Sequence, residues 1–179
     1  MIMDEITRQK PIQARRFVLR PPEQADAGAI GLHMGDARVA QATANIPHPL
    51  PPGAAEALIA RARDPETPEQ VWVMDGDLEG GMGVLGLLSL TRLDRDQCQL
   101  AYWVAPAFWN AGLASEAVGA LIAANPQHSH EMFAEVFQDN PASARVLTNA
   151  GFQYIGDAEA HSLARGATVP TWTYIKKLA

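Results

Sequence analysis

The chain has 179 residues, a formal net charge of −6, and is 47% hydrophobic and 19% charged. That length fits one domain, the apolar share excludes a disordered chain, and an acidic sequence without a basic run is a poor partner for nucleic acid. A single cysteine, Cys98, excludes a disulfide framework and fits a reducing compartment.

Met1-Ile2-Met3-Asp4-Glu5 has no basic segment followed by an apolar stretch, so no secretory leader is expected, and no apolar run is long enough for a bilayer. The expectation is a cytoplasmic protein with an N-terminal extension over 1–14 and a single domain over 15–179. Arg16-Phe17-Val18-Leu19-Arg20 reads as a first strand, ended by Pro21-Pro22, and Glu23–Met34 reads as a helix. Asp36–Ala42 adds a short helix. Pro47–Gly53 is too rich in proline for regular structure, and the alanine-rich Ala54–Arg63 is helical again.

Val71–Met74 reads as a short strand, followed by turn residues at Asp75-Gly76-Asp77 and Gly80-Gly81. The nearly continuous apolar run Val84–Leu90 suits a buried central strand, with Gly83 and Gly86 allowing a bulge or a close backbone approach. After the polar turn Asp94-Arg95-Asp96, Gln97–Val104 is the next strand, stopped by Pro106. Leu113–Ala124 repeats its apolar residues at helical spacing. Met132–Phe137 is a strand, Pro141–Ala150 a helix, and Thr171–Lys176 a closing strand with Asp157–Leu163 as its hairpin partner. This order gives an α/β (α+β) fold, a mixed sheet with helices on both faces.

Two places in this order bear on chemistry. Asn110-Ala111-Gly112-Leu113-Ala114 puts small residues where a strand gives way to a helix, so backbone amides can approach a phosphate unobstructed. A glycine in a loop before an alanine-rich helix would look the same. Asn140-Pro141 is a helix N-cap, and Gly151-Phe152 closes that helix. Structure alone explains those four residues, but it does not call for Ser143 one turn in. Five histidines without H-x-x-H or H-E-x-x-H spacing give no metal site, and Cys98, in mid-strand, is a poor nucleophile.

Taken together, these segments resemble the GNAT N-acetyltransferase superfamily, in the branch that acetylates the N-termini of ribosomal proteins. Tyr102, Trp103, Val104, Pro106, Trp109, Gly112, Ala114, Ser115, Glu116 and Ala117 match its pattern Y-W-(V/L)-x-P-x-x-W-G-x-G-x-A-(T/S)-E-A. Asn140, Ser143, Val146, Leu147, Gly151 and Phe152 match its N-x-x-S-x-x-V-L-x-x-x-G-F. Asn110 replaces a glycine, and asparagine is the non-glycine residue that best tolerates positive φ.

The resemblance implies a mostly antiparallel central sheet whose middle strands splay apart. It also implies acetyl-CoA as acetyl donor, with its pyrophosphate on the segment Trp109, Asn110, Ala111, Gly112, Leu113, Ala114 and Ser115. The pantetheine arm would pair near Trp103 and Val104, with Asn140 touching it and Ser143 near the sulfur. A backbone amide near Val104 would polarise the thioester carbonyl. Many members protonate the leaving thiolate with a tyrosine where this chain has Leu147, so Ser143, or a water it holds, would be the acid. Members also carry a glutamate where Gln99 stands, leaving Glu135, Asp139, His33, His48 or a water chain as base. The acceptor is a primary amine, a peptide N-terminus first and a small amine such as a polyamine, amino acid or antibiotic second. A catalytically weak CoA-binding protein is the reading from another class. No metal, nucleic acid or membrane partner is implied, and the protein would be a monomer or homodimer.

Overall fold

Val71-Trp72-Val73-Met74 is apolar at every position, so a strand built from it must be covered on both faces. In the computed structural model, which describes residues 9–77 and 83–178, it is. Trp72 and Met74 enter one core, with Leu88, Leu90, Val118, Leu121 and Leu147; Val71 and Val73 enter a second, with Ile30, Val39 and Ile59.

The strands are β1 (Ile12–Gln13), β2 (Val18–Arg20), β3 (Glu69–Asp75), β4 (Val84–Arg92), β5 (Gln97–Val104), β6 (Glu131–Phe137), β7 (Gln153–Ser162) and β8 (Ala167–Lys177). They form one eight-stranded sheet in the order β1-β2-β3-β4-β5-β6-β8-β7. Every neighbouring pair is antiparallel except β5 and β6. Helices α1 (Ala27–Met34), α2 (Ala37–Ala42) and α3 (Ala54–Ala62) cover one face. Helices α4 (Leu113–Ala124) and α5 (Pro141–Asn149) cover the other.

Most expected elements form, with β3 longer than the pattern suggested because Glu69 and Gln70 pair with Thr91 and Leu90 of β4, and β7 and β8 longer because they pair with each other from Gln153–Ile175 to Ser162–Ala167. β1 lies in the segment expected as an extension, where Ile12 and Gln13 pair with Leu19 and Val18. The Gly80-Gly81 turn lies outside the described residues.

The central feature is the junction of β5 and β6. They run parallel from Gln97–Glu131 to Leu100–Ala134 and then part. Beyond that point β5 stays with β4 as far as Val104, and β6 stays with β8 as far as Phe137. The sheet is therefore splayed between Ala101–Val104 and Glu135–Phe137.

Gly86 sets the position of β5 at the splay. A Cβ there would collide with the Trp103 carbonyl oxygen and come within 3.1 Å of the Val104 Cα and 2.9 Å of the Met74 sulfur. Opposite it, the ladder shifts register between Met74 and Asp75. We expect Gly86→Val to cost about 2–3 kcal/mol through overpacking, read as a lower urea midpoint at unchanged slope. A cost below about 0.5 kcal/mol would show that the close approach is dispensable.

Candidate active site

The phase of the β4–β5 ladder decides which backbone groups face the opening. Ala105 N–H donates to the Leu85 carbonyl (2.8 Å), and Leu93 N–H to that of Gln97 (2.8 Å). Antiparallel pairing alternates, so the odd-numbered residues of β5 spend their main-chain groups on β4 and the even-numbered ones turn away. Tyr102 and Val104 therefore present N–H and C=O to the gap. The main chain of Trp103, expected to face it too, is held by Leu87 instead. Its side chain lines the gap while packing in the second core, edge-on to the His33 ring.

The Val104 carbonyl already has a partner. Trp109 Nε1 donates to it at 2.7 Å, folding the exposed indole back over the end of β5. Trp109 thus acts as a strut, and the free group on Val104 is its N–H.

Between Trp109 and α4 the chain takes the left-handed turn the sequence suggested, with φ of +62° at Asn110 and +75° at Gly112. Gly112 caps α4 without a side-chain bond. Among the described residues, the N–H groups of Asn110, Ala111 and Gly112 bond to no other backbone group. Helix geometry leaves those of Leu113, Ala114 and Ser115 equally open. The Leu113 side chain is buried in the core, so only its backbone is on offer.

Arg16 holds this loop from behind, and no sequence signal pointed to it. Its Nη1 donates to the Ala111 carbonyl (2.9 Å), and its Nε and main-chain N–H donate to the two Glu116 carboxylate oxygens (2.6 and 2.7 Å). The partners are 100 residues apart, beyond the reach of pattern reading. Burial pushes the Glu116 carboxyl up, but the hydrogen bonds from Arg16 outweigh it and leave the group below its ordinary value.

Asn140 caps α5, its Oδ1 accepting from Ser143 N–H at 3.2 Å. The Ser143 hydroxyl lies 2.7 Å from that of Tyr102, which reaches across from β5. Leu147 is fully buried in the first core.

These groups line one cavity of about 500 Å³, walled by α2, β5, the 109–115 loop, α5 and the β7–β8 turn. Since α2 and α5 lie on opposite faces of the sheet, the cavity passes through it where β5 and β6 part. Every residue expected in the site is there: Trp103, Val104, Trp109, Asn110, Ala111, Gly112, Leu113, Ala114, Ser115, Asn140 and Ser143. So are Arg38, Tyr102, Arg145 and Arg165, which sequence reading did not place there.

Arg165 closes the far end. It donates to the Gln41 carbonyl through Nε and Nη2 (3.0 and 2.7 Å) and to both Asp139 oxygens (2.5 and 3.1 Å). The β7–β8 turn is thereby tied to α2 and to the end of β6. Arg165 holds the Asp139 carboxyl below its ordinary range.

Of the expected bases, only Asp139 lines the cavity, and both its oxygens are occupied. His33 contacts the Val84 carbonyl at 3.2 Å, outside it. Cys98 is buried, and burial pushes its thiol up. Among the described residues, no group of three or more acidic, histidine or cysteine side chains could hold a metal, and no helix is long and apolar enough to cross a membrane.

A splayed sheet with open backbone amides at a helix start beside the opening defines a site for an extended, anionic ligand, and the family follows from sequence comparison. The profile of the acetyltransferase (GNAT) domain matches residues 16–153, and the chain belongs to that family of acetyl-CoA-dependent N-acetyltransferases. Among curated proteins, none matches the chain by sequence. The fold is shared with RimL, the ribosomal L7/L12 alpha-N-protein acetyltransferase in complex with coenzyme A (14% identity, 94% of this chain and 98% of that one, TM-score 0.80). It is also shared with the ribosomal-protein-S5-alanine acetyltransferase of Vibrio fischeri (19%, 95% and 97%, 0.76). A third such structure is the spermidine N-acetyltransferase of Vibrio cholerae with CoA and spermine (15%, 91% and 96%, 0.77).

The Arg16–Glu116 pair yields a pH-dependent prediction. Because the Glu116 carboxyl is lowered in the folded state, the stability it contributes is present above about pH 4.5 and is lost as the pH falls through its folded value. With Arg16 over a third exposed and its charge screened by water, Arg16→Ala should cost about 1 kcal/mol at pH 7. That difference should shrink in parallel denaturation series as the pH falls through the folded value of Glu116, leaving only the part that comes from the Ala111 carbonyl bond and from packing. A gap that does not change with pH across the whole acid range would assign the effect to packing and the Ala111 bond.

Proposed function

We propose that this protein transfers an acetyl group from acetyl-CoA to the α-amine of a protein or peptide N-terminus by direct attack, with residues 15–179 as the catalytic domain. The observation that carries this reading is the through-sheet cavity: it has an open amide at Val104 and unpartnered amides over 110–115, and its one carboxylate is already neutralised.

Those features suit the donor. The amides of Asn110 to Ser115 would hold the pyrophosphate, at a helix end whose dipole favours anions. The open edge of Tyr102 and Val104 would pair with the amide-bearing pantetheine arm as a strand pairs with an edge. The Val104 N–H would then meet the oxygen of the thioester carbonyl, where negative charge develops during attack. Asn140 and Ser143 would stand at the sulfur end.

The choice of acceptor follows from the missing base. Without a free carboxylate or imidazole in the cavity, the amine must arrive neutral. At pH 7 about one α-amine in seven is neutral, against about one lysine-type amine in 2,500. A polyamine would also need unpaired carboxylates, and the described lining offers none.

Calorimetric titration should therefore show micromolar acetyl-CoA and CoA binding, lost in Gly112→Trp, where the indole would fill the loop. With N-terminally free peptides, kcat/KM should climb tenfold per pH unit and level off near pH 8, following the amine. An N-blocked lysine peptide and spermidine should be at least about tenfold poorer at pH 7. A plateau well below pH 7, or spermidine as the better acceptor, would sink the α-amine reading.

A further inference from the structure

Tyr102 and Ser143 come from elements on either side of the opening, β5 and α5, and their hydroxyl oxygens meet at 2.7 Å inside the cavity. We propose that Tyr102 is a positioning residue: its hydroxyl donates to Ser143 Oγ and thereby aims the Ser143 O–H at the sulfur of the acyl donor. The proposal rests on the acetyl-transfer reading above.

The polarity of the pair follows from acidity and distance. A phenol is a far stronger acid than an aliphatic alcohol and is the better donor. The other acceptor within reach of Tyr102, the Ser143 carbonyl oxygen, is at 3.3 Å, long for an O–H···O bond. Burial pushes the Tyr102 hydroxyl up to about 12, so it stays neutral and able to donate across the working range. The Ser143 backbone is fixed in turn, because its N–H donates to Asn140 Oδ1 at 3.2 Å.

Without Tyr102, the serine hydroxyl would be free to turn back to the carbonyl of Asn140 or Asp139, three and four residues before it, a common alternative for serine. With Tyr102 in place, Oγ is used as an acceptor and its proton remains for the cavity. Leu147, one turn further along, is sealed in the core and supplies no donor.

The step balances without a proton from the protein. The amine nitrogen bonds to the acetyl carbon, the C–S bond breaks with its electron pair on sulfur, and the amine proton passes to water. The Ser143 O–H hydrogen-bonds the sulfur as charge builds and keeps its proton. A thiol pKa of about 8.5 makes such a hydrogen bond, rather than full protonation, sufficient near neutral pH.

The test uses Tyr102→Phe, which removes one oxygen, together with Ser143→Ala and the double variant. We expect Tyr102→Phe to lower kcat about tenfold, the scale of one hydrogen bond, with acetyl-CoA affinity changed less than twofold. The double variant should be no slower than Ser143→Ala. The thiol pKa of bound CoA, followed by thiolate absorbance and needing no acceptor, should lie below that of free CoA in the wild type and return toward it in Tyr102→Phe. Multiplying effects, or a bound-thiol pKa indifferent to Tyr102→Phe, would overturn the proposal while leaving the acetyl-transfer reading in place. A wild type that binds no CoA would overturn both.

Discussion

The separation of two parallel strands controls everything else at this site. β5 and β6 share four residue pairs and then diverge, each kept on course by its antiparallel neighbour on the other side. A strand edge opened inside a sheet would ordinarily be a liability, because its N–H and C=O groups are desolvated without partners. Here the edge is short, Trp109 takes the Val104 carbonyl, and the Tyr102 side chain bridges the opening to Ser143. What remains facing the cavity is the Val104 N–H with the N–H and C=O of Tyr102, and hydrogen-bonding groups in such a setting act more strongly on a polar partner than they would in water.

The supports of this opening all lie at a distance in sequence. Gly86 lets β4 press against β5 at Trp103 and Val104, the far end of the splayed stretch. Arg16, on the approach to β2, holds the 109–115 loop through Ala111 and Glu116. Arg165, in the last hairpin, ties α2 to the end of β6. The donor side is built mainly from backbone, whose geometry these struts fix, whereas the far side is built from side chains on α2 and the hairpin. On the proposed reading, that division would separate a generic task, holding a thioester, from a particular one, admitting an acceptor.

The sequence made the elements and the backbone shape of the 109–115 loop legible for a physical reason. Val84–Leu90, Leu113–Ala124 and Asn140–Phe152 carry local signals (apolar period, N-cap, proline at the first turn, closing glycine) that need no partner to be read. Asn110 and Gly112 likewise announced their positive φ, and both adopt it. Phase and long-range pairing were not legible. Pattern could not say that Trp103 spends its backbone on β4 while Val104 does not, because a ladder's alternation is set by its partner's register. Nor could it join Arg16 to Glu116 or Arg165 to Asp139, since a charged residue has no period that marks its partner.

The fate of Asp139 shows why such pairing decides function. As a carboxylate just before the Asn140 cap it was a reasonable base by sequence. In the structure it lines the cavity, yet Arg165 occupies both its oxygens and holds it ionised and engaged. To accept a proton from an amine it would have to give up a two-point ion pair, which works against the change it would be asked to make. One arginine thus does two things: it anchors the hairpin wall, and it removes the cavity's base. On the proposed reading, an enzyme so arranged would leave deprotonation to solvent, and the basicity of the acceptor amine would then set how much of it arrives ready to attack.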